Sequence, residues 1–364
     1  MKINRRLFIG MSLSIVPFLT ENAVAGEVSV NETFLQSSWL AWKKKFLLDN
    51  GRVVDAYQQL SSHSEGQGYG MVLSALMNDV DTCKKIYSWT LENLAIRSDN
   101  LLAWRWMPDT TTPVLDLNNS SDGDLFFAWG CILAKQRFST NDFNLTAQMI
   151  VQDLIKKCVR SDPSNSNRIL LLPGADGFEK PEGITYNPSY PMPRALTELS
   201  SALNEPILDK LAFDSLDILS DIAALGATPD WLVINESGFA QSSQFNYVSG
   251  YDALRVPLFL VWSDEASHPA LLSHRNLYQT DKKTSNSFPV VFDIKTGKAQ
   301  SFSDDIGYRA IVSYFDCMIN KSSFNSNKTK TMLPYYKNQP YFPATLHMMA
   351  LLSQIERYDV CKPN

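Results

Sequence analysis

Apolar side chains recur at intervals of three and four residues through most of this 364-residue chain, and short polar or Pro/Gly-containing connections separate the periodic segments. The pattern predicts eleven or twelve helices and contains no long alternation of apolar and polar residues that would require a large sheet. The helices that can be bounded are Thr33–Leu48, Ser64–Met77, Asp81–Leu94, Asp122–Ala134, Asn141–Cys158, Pro191–Leu203, Leu208–Leu225, Asp252–Asp264, Pro269–Leu277, Asp304–Ile319 and Pro343–Arg357. Ile169–Leu172 and Trp231–Ile234 are the best candidates for short strands, whereas the polar segment Ser161–Asn167 is predicted to be a loop.

The N-terminus has the layout of a secretion signal. Basic residues at positions 2, 5 and 6 precede an apolar run over Leu7–Leu19, and Ala23–Ala25 supply the small-x-small site expected before cleavage. We therefore expect residues 1–25 to be removed and residues 26–364 to form one mature domain. Because the apolar run is too short to span a bilayer comfortably, we expect a periplasmic or secreted protein without a stable membrane anchor. The string Asn4–Phe8 resembles a twin-arginine signal, and ordinary Sec export stays open.

The stretch His63–Met77 places an acid at the start of a helix. Ser64 and Gln67 fit a capping box, and apolar residues continue at helical spacing after them. Three alternating glycines follow Glu65, and each costs up to about 1 kcal/mol relative to alanine in a helix. The bare backbone suggests a carboxyl group at a helix mouth with space for a bulky ligand. A solvated capping acid would give the same pattern.

Two later helices begin in the same manner. Ser121 precedes Asp122 and Asp124 ahead of a periodic apolar run, and Ser249 precedes Asp252 in a similar way. Each pattern taken alone is typical of a capping acid. If alternate helices of a helical barrel point the same way, however, the three helix starts converge at one end. Carboxylates that face one another repel, so such convergence would indicate a functional site.

Composition narrows the class of partner. A formal net charge of -5 argues against nucleic acid or an anionic membrane, because the chain has no basic surplus to release counterions. Tryptophan and tyrosine offer flat apolar faces with polar tips that suit sugar rings, although core packing requires the same residues. The candidate stacking residues are Trp104, Trp106, Tyr190, Trp231 and Tyr251. Arg255 follows Asp252 by three positions, where it could hold that carboxylate ionised or bind a hydroxyl group.

Paired acids among aromatic residues suggest glycoside hydrolysis, in which one carboxyl group protonates the leaving oxygen and the other activates water or attacks carbon. A general acid needs a raised pKa, whereas the dipole at a helix start lowers the pKa of a carboxyl group. A neighbouring carboxylate must therefore outweigh the dipole around the proton donor. Asp122 is the candidate neighbour for Glu65.

Other chemistries lack support in the sequence. It contains no GxSxG, HExxH or Walker lysine motif, and its four histidines are scattered, which disfavours a serine triad or a zinc site. The five cysteines form neither a CxxC pair nor an obvious disulfide framework. Cys83, Cys131 and Cys158 fall in helical apolar patterns that are typical of free thiols packed as small hydrophobes. We therefore predict no metal and no cofactor.

Seven short strings make the sequence similar to glycoside hydrolase family 8, most closely to the periplasmic endoglucanases that accompany bacterial cellulose synthesis. They follow the family's order and are His63–Met71, Leu102–Trp106, Asn119–Asp124, Leu171–Gly174, Asn187–Tyr190, Pro229–Trp231 and Tyr251–Val256. The sequence departs from the family signature at Ser120, where alanine is usual, and at Phe127, Gly130 and Cys131. The resemblance is looser after about residue 295.

This resemblance implies an all-α fold, an (α/α)6 barrel of alternating inner and outer helices with minor short strands, that hydrolyses internal β-1,4-glucosidic bonds with inversion and without a metal. Glu65 resembles the family's proton donor and Asp252 its general base. Asp122 matches a residue described either as a nucleophile or as one that binds and distorts the central sugar, and inversion favours the second role. Asp124 of the same signature joins the substrate-binding candidates.

The resemblance also implies β-1,4-glucan as the substrate and the cellulose-synthesis machinery as a possible partner. Chitosan, mixed-linkage glucan and xylan stay open as alternative substrates. A catalytically inactive glucan-binding component is the alternative from another class of protein.

Overall fold

The computed structural model describes residues 30–139, 141–280, 287–322, 333–357 and 361. Within these ranges the chain forms eleven helices, and each bounded helix of the sequence prediction is present with ends shifted by a few residues. They are α1 (Val30–Phe46), α2 (Ser64–Leu76), α3 (Val80–Asn93), α4 (Ser121–Phe138), α5 (Asn141–Cys158), α6 (Pro193–Leu203), α7 (Pro206–Leu225), α8 (Arg255–Trp262), α9 (Pro269–Thr280), α10 (Ile306–Ser322) and α11 (Tyr341–Arg357). The predicted secretion signal, residues 1–25, lies outside the described residues.

Six of these helices close into an inner ring. α2 packs against α4, and the ring continues through α6, α8, α10 and α11, which returns to α2. α1, α3, α5, α7 and α9 each pack against at least one member of this ring. α2, α4 and α8 are buried along nearly their whole length, as expected for helices covered on every side. The architecture is an (α/α)6 barrel, which confirms the predicted fold.

Glycines let the inner helices approach closely. A Cβ atom added to Gly66 would lie 3.0 Å from the nearest atom of α11. One added to Gly68 would lie 2.8 Å from α4, and one added to Gly70 would lie 2.9 Å from α3. On α4, a Cβ atom added to Gly123 would lie 2.7 Å from Glu65 N. The glycines after Glu65 therefore serve helix packing. The prediction that these glycines leave space for a ligand is wrong, because protein atoms fill that space.

The predicted serine caps do not form, because both serines lie one position too far along the chain. Ser64 and Ser121 are the first residues of α2 and α4 rather than the preceding cap residues. Ser64 Oγ has no hydrogen-bond partner among the described residues, while the Gln67 amide oxygen accepts the Val53 N–H at 2.6 Å. Ser121 Oγ donates to Leu172 O at 2.6 Å. Neither serine therefore caps its helix: Ser121 and Gln67 bond neighbouring segments instead.

α8 begins at Arg255, three residues later than predicted, and ends at Trp262, two residues earlier than predicted. Pro257 explains the late start, because it has no N–H to donate to the carbonyl of Ala253. That carbonyl instead accepts the N–H of Val256 at 3.1 Å, in a tighter turn. Asp252 therefore lies in the turn before α8, not in its first helical turn.

In the part of the chain that the structure describes, eleven short strands form four small antiparallel sheets between the helices. The strands are β1 (Ser62–His63), β2 (Arg105–Trp106), β3 (Val159–Asp162), β4 (Asn165–Leu171), β5 (Glu179–Lys180), β6 (Gly183–Tyr186), β7 (Leu232–Asn235), β8 (Gly238–Ala240), β9 (Val248–Ser249), β10 (Phe288–Asp293) and β11 (Ala299–Ser303). β1 pairs with β2, and β3 with β4; β5 to β8 form one sheet in sequence order, and β10 lies between β9 and β11. The two predicted strands correspond to β4 and β7.

The prediction of a loop over Ser161–Asn167 is wrong, because most of these residues belong to the hairpin of β3 and β4. Its polar composition concealed the strands. Asp162 and Arg168 are buried, and Arg168 Nε donates to Asp162 Oδ2 at 3.0 Å, so that each compensates the charge of the other. A buried ion pair of this kind places polar residues where a strand normally carries apolar ones.

The cysteines divide into two groups. Cys317 of α10 forms a disulfide with Cys361, 44 residues later, a pairing that the cysteine spacing in the sequence does not indicate. Cys83, Cys131 and Cys158 are free and buried, which confirms that they pack as small hydrophobes.

Candidate active site

The starts of the inner helices meet at one end of the barrel. Glu65 is the second residue of α2 and Asp122 the second residue of α4. Arg255 opens α8, and its Cζ lies 5.4 Å from the ring centre of Tyr190, shortly before α6. Tyr341 opens α11 and lies against the start of α2. The predicted convergence of helix starts is present, and it gathers ionisable side chains from distant parts of the chain.

Arg255 connects the three predicted acids. Its Nη1 donates to Glu65 Oε2 at 2.5 Å and to Asp122 Oδ2 at 3.1 Å, and its Nη2 donates to Asp252 Oδ1 at 2.7 Å. Nη1 also donates to Tyr69 Oη at 3.1 Å. The predicted contact of Arg255 with Asp252 is present, and the same guanidinium joins two further helices to α8.

The acids differ in their access to solvent. The side chains of Glu65 and Asp252 are 22% and 29% exposed, whereas those of Asp122 and Arg255 are 2% and 1% exposed. The two contacts and the width of one guanidinium limit the distance between the bonded oxygens of Glu65 and Asp252 to about 7.5 Å. Two solvent-facing carboxyl groups thus flank one buried cation.

Glu65 is set up to hold a proton. Burial raises the pKa of Glu65 from an ordinary value of 4.5 to about 8; Arg255 opposes this shift, and the charges of Asp122 and Asp252 reinforce it. Asp122 is also close enough to share a hydrogen bond with Glu65. Two carboxyl groups can share such a bond only if one of them is protonated. These influences outweigh the helix dipole at the start of α2, which favours the ionised form.

Asp252 receives donors that Glu65 lacks. Burial raises the pKa of Asp252, and Arg255 lowers it, as do the Asn187 amide and the Trp231 indole N–H. Asn187 Nδ2 donates to Asp252 Oδ2 at 3.0 Å. Because neutral donors to a carboxylate favour its ionised form, they equip Asp252 to accept a proton rather than to supply one.

Three of the predicted stacking residues flank these acids. Trp104 stacks on His63, with ring centres 6.1 Å apart, close to the start of α2. Tyr190 lies against Arg255, and Tyr251 is 45% exposed in the turn that carries the base candidate. Their contact with a sugar ring stays a prediction, and their positions are compatible with it.

The remaining aromatic candidates have protein partners. Arg52 lies over the ring of Trp106, 4.7 Å from its centre, and Trp89 packs edge-on against the same ring. Phe178 and Phe245 stack on Trp231, with ring centres 6.3 and 4.2 Å from that of the indole and interplanar angles of 9° and 11°. These contacts indicate that Trp231 serves packing around the turn that carries Asp252.

Asp124 is not a substrate-binding residue, and this prediction is wrong. Its side chain is fully buried; Oδ1 accepts the Leu102 N–H and Oδ2 accepts the Asn119 amide, both at 2.7 Å. Because Asp124 follows Asp122 by two positions, its side chain lies about 200° around α4 from that of Asp122, where it bonds the neighbouring segments. The sequence placed Asp122 and Asp124 together, although only Asp122 reaches the acid cluster.

Sequence reasoning missed several side chains of this cluster. Asn187 and Tyr69 contact Asp252 and Arg255, respectively, and Asp230 accepts the N–H groups of the turn that carries Asp252. Asn187 and Asp230 lie in motifs that carried the family resemblance. That was the only signal for them, because no spacing rule links these residues to the acids along the chain.

The next two observations concern metal ligands and membrane-spanning helices in the described residues. In the described ranges, no group of three or more His, Cys, Asp or Glu side chains is arranged to hold a metal ion. Among the same residues, none of the helices combines the length and apolar character needed to cross a membrane.

Comparison with known proteins identifies the class to which this site belongs, the glycoside hydrolases. The model of Glycosyl hydrolases family 8 matches residues 14–356, and the chain belongs to that family. This membership confirms the resemblance carried by the sequence motifs.

Named relatives agree with the family. A probable endoglucanase of Novacetimonas hansenii is 30% identical over 278 residues, which cover 75% of this chain and 80% of the relative. An endoglucanase of Escherichia coli strain K12 is 29% identical over 289 residues, covering 76% and 77% of the two chains. The solved structure of endo-beta-1,4-glucanase CMCax from Acetobacter xylinum has a TM-score of 0.77 and 26% identity, and the match covers 89% of this chain and 99% of that one.

Proposed function

We propose that this chain is an endo-β-1,4-glucanase that cleaves internal glucosidic bonds with inversion, and that residues 26–364 form one catalytic domain. The observation that carries the proposal is the arrangement of Glu65 and Asp252, two solvent-facing carboxyl groups held on one buried guanidinium. The geometry supports a pair of acids that act on opposite sides of one bond.

Glu65 is the proposed general acid. Its raised pKa keeps the carboxyl group protonated at neutral pH, and Asp122 beside it favours that state. When the glycosidic bond breaks, Glu65 gives its proton to the leaving oxygen and becomes a carboxylate. Arg255, 2.5 Å from Glu65 Oε2, stabilises the negative charge that forms.

Asp252 is the proposed general base. It takes a proton from a water molecule that attacks the anomeric carbon on the face opposite the leaving group. The upper limit of about 7.5 Å between the bonded oxygens includes the lower part of the roughly 6.5 to 9.5 Å used by inverting enzymes and also the roughly 5.5 Å used by retaining ones, so the proposal of inversion rests on family membership. The donors on Asp252 support its ionised form before the reaction.

Asp122 is proposed to support Glu65 and the central sugar rather than to attack carbon. Ser120 Oγ and Gly123 N donate to Asp122 Oδ1, at 2.5 and 2.8 Å, and Arg255 donates to Oδ2. A nucleophile needs a free oxygen directed at the anomeric carbon. Both oxygens of Asp122 are engaged, and the side chain is 2% exposed.

The proposed substrate is β-1,4-glucan, supported by relatives named endoglucanase and by a structural neighbour named endo-beta-1,4-glucanase. We further propose that the protein acts in the periplasm or outside the cell and serves bacterial cellulose synthesis. The basic and apolar pattern of residues 1–25 supports export.

Replacement of the acid tests the proposal. Glu65→Gln should abolish release of reducing ends from carboxymethylcellulose while calorimetry still detects binding of a cello-oligosaccharide. Glu198→Gln, a change of the same chemistry on α6, should retain turnover because Glu198 bonds Trp129 and Arg194 instead. Turnover by Glu65→Gln would refute the assignment of the acid.

The stereochemistry of the first product tests the rest. NMR of cello-oligosaccharide cleavage by the wild-type protein should show the α-anomer before mutarotation, and a β-anomer would contradict inversion. Parallel assays on xylan, chitosan and mixed-linkage glucan should give slower turnover than the β-1,4-glucan. An inactive wild-type protein that still binds glucan would favour the binding component over the enzyme.

A further inference from the structure

The turn that carries Asp252 lies outside any helix, so something else must hold it in place. α8 starts only at Arg255. Within the turn, Leu254 N donates to Gly250 O and Arg255 N to Asp252 O, both at 3.0 Å, but these bonds provide no acceptor for the N–H groups of Gly250 and Ala253. Asp230, from a different segment, supplies the missing acceptor. Its Oδ1 accepts the N–H groups of Gly250 and Ala253, each at 2.8 Å, one on either side of Asp252.

The backbone and a glycine reinforce this connection. Asp230 N donates to Val248 O at 2.8 Å, so the segment is joined to the approach of the turn as well as to the turn itself. A Cβ atom on Gly250 would lie 2.8 Å from Asp230 Oδ2. The absence of a side chain at position 250 therefore lets the carboxyl group come close enough to bond both N–H groups.

The next residue reaches the Asp252 side chain directly. The Trp231 indole N–H lies close enough to the Asp252 carboxylate to lower its pKa. Phe178 and Phe245 stack on the indole ring with nearly parallel planes, which restricts the direction in which that N–H points. A ring covered in this way serves as a rigid donor rather than as a sugar platform.

We infer that Asp230 and Trp231 are positioning residues for Asp252: Asp230 fixes the backbone turn that carries this carboxylate, and Trp231 orients the carboxylate through its N–H. The inference rests on the proposed role of Asp252 as the base. It assigns to Pro229–Trp231 a task in catalysis that needs no contact with substrate.

The groups around Asp252 determine how each substitution should shift its pKa. Arg255 and the donors Asn187 and Trp231 favour the ionised form. Asp122 from α4, Glu65 from α2 and Asp230 from the loop before β7 are the acids whose charges oppose it, and Tyr190 before α6 also faces it. Loss of the Trp231 donor should therefore shift proton binding by Asp252 to higher pH.

Asp79 and Trp39 offer a matched control on the outer helices. Asp79 caps α3 by accepting the Thr82 N–H at 3.2 Å, and Trp39 Nε1 donates to Asp79 Oδ2 at 2.9 Å. Asp79 accepts a backbone N–H, as Asp230 does, and Trp39 presents an indole N–H to a carboxylate, as Trp231 does. This pair lies on the outer helices, away from the acid cluster. Its variants report purely structural effects.

The experiment compares kcat, KM and the pH profile on carboxymethylcellulose with the melting temperature of each variant. Asp230→Ala should lower kcat on the order of 10- to 100-fold with little change in KM, because a base displaced by a fraction of an ångström loses its alignment with the water. Asp230→Asn, whose amide oxygen can accept the same two N–H groups, should recover most of this loss. Asp79→Ala should lower the melting temperature and leave kcat unchanged.

The tryptophan variants give an independent measurement. Trp231→Phe keeps the stacked ring but removes the N–H, and the acid limb of kcat/KM should move to higher pH by about 1 unit. Trp39→Phe should leave that limb in place. If Asp230→Ala does not fold, Asp230→Asn and Trp231→Phe still decide.

Three results would overturn the inference: a folded Asp230→Ala with wild-type kcat, an Asp230→Asn as slow as the alanine variant, or a Trp231→Phe whose acid limb stays in place. A wild-type protein that does not cleave glucan would instead refute the proposed function. An active wild type with unaffected variants would refute this inference alone.

Discussion

Gly123→Ala tests whether the close crossing of α2 and α4 sets the position of the proposed acid. The added Cβ atom would lie 2.7 Å from Glu65 N and 2.7 Å from Ser64 Cβ, about 0.7 Å inside the 3.4 Å at which ordinary contact begins. These are backbone and Cβ atoms, so rotation of a side chain cannot relieve the clash, and the start of α2 must move. A displacement approaching 1 Å can cost about 100-fold in rate.

Gly130→Ala provides the control, because it disturbs the same helix pair two turns further along α4. Its Cβ atom would lie 2.5 Å from Met71 Cβ and 3.0 Å from Val72 N. Both variants overpack the interface, and each should lower the free energy of unfolding by about 1 to 3 kcal/mol. Only Gly123→Ala should also displace the carboxyl group of Glu65 from Arg255.

The assay measures reducing ends released from carboxymethylcellulose at 25 °C, normalised to the folded fraction from circular dichroism and urea unfolding. We expect kcat to fall on the order of 10- to 100-fold in Gly123→Ala and less than about 3-fold in Gly130→Ala. Equal kcat values in two variants of equal stability would refute the claim that the crossing positions the acid. So would a Gly123→Ala protein that is destabilised but fully active per folded molecule.

Further predictions concern charge and covalent structure. Because the pKa of Glu65 is raised to about 8, kcat/KM should fall as the pH rises through that value, and Asp122→Asn should move this limb to lower pH by removing a negative neighbour. Arg255→Met leaves three neighbouring carboxyl groups without their cation, so the free energy of unfolding in urea should fall by about 3 to 5 kcal/mol at pH 8. The decrease should be smaller at pH 5, because protonation of the carboxyl groups relieves their repulsion. The double variant Cys317→Ser/Cys361→Ser opens a 44-residue loop, and chain entropy predicts a loss of about 4 kcal/mol and a lower melting temperature in calorimetry; an unchanged melting temperature would contradict a stabilising disulfide.

The barrel was predictable because its inner helices bury apolar residues at regular spacing, a signal that survives without knowledge of the partners. The small strands were less predictable. β10 and β11 were missed altogether, and β3 was taken for a loop because its buried Asp162 pairs with Arg168 from the facing strand. Periodicity detects a face that is uniformly apolar. It does not detect a face where two charges compensate each other.

The acids themselves were predictable from their place at helix starts, whereas their mutual arrangement was not. Arg255 follows Asp252 by three residues, and that contact was anticipated. Its other carboxylate partners lie 133 and 190 residues away, and nothing local indicates them. Asp230 acts on backbone N–H groups some 20 residues later, so its own side chain carries no periodic signal either.

The glycines of α2 connect packing with chemistry. Their low helix propensity signalled that the fold gains something at this place, and the expected gain was space for a ligand. The space is instead filled by neighbouring helices: Gly68 and Gly123 let α4 approach α2, and this approach brings Asp122 beside Glu65. The raised pKa of the proposed acid thus depends on backbone packing: burial is its largest cause, and the close crossing of α2 and α4 adds the charge and hydrogen bond of Asp122.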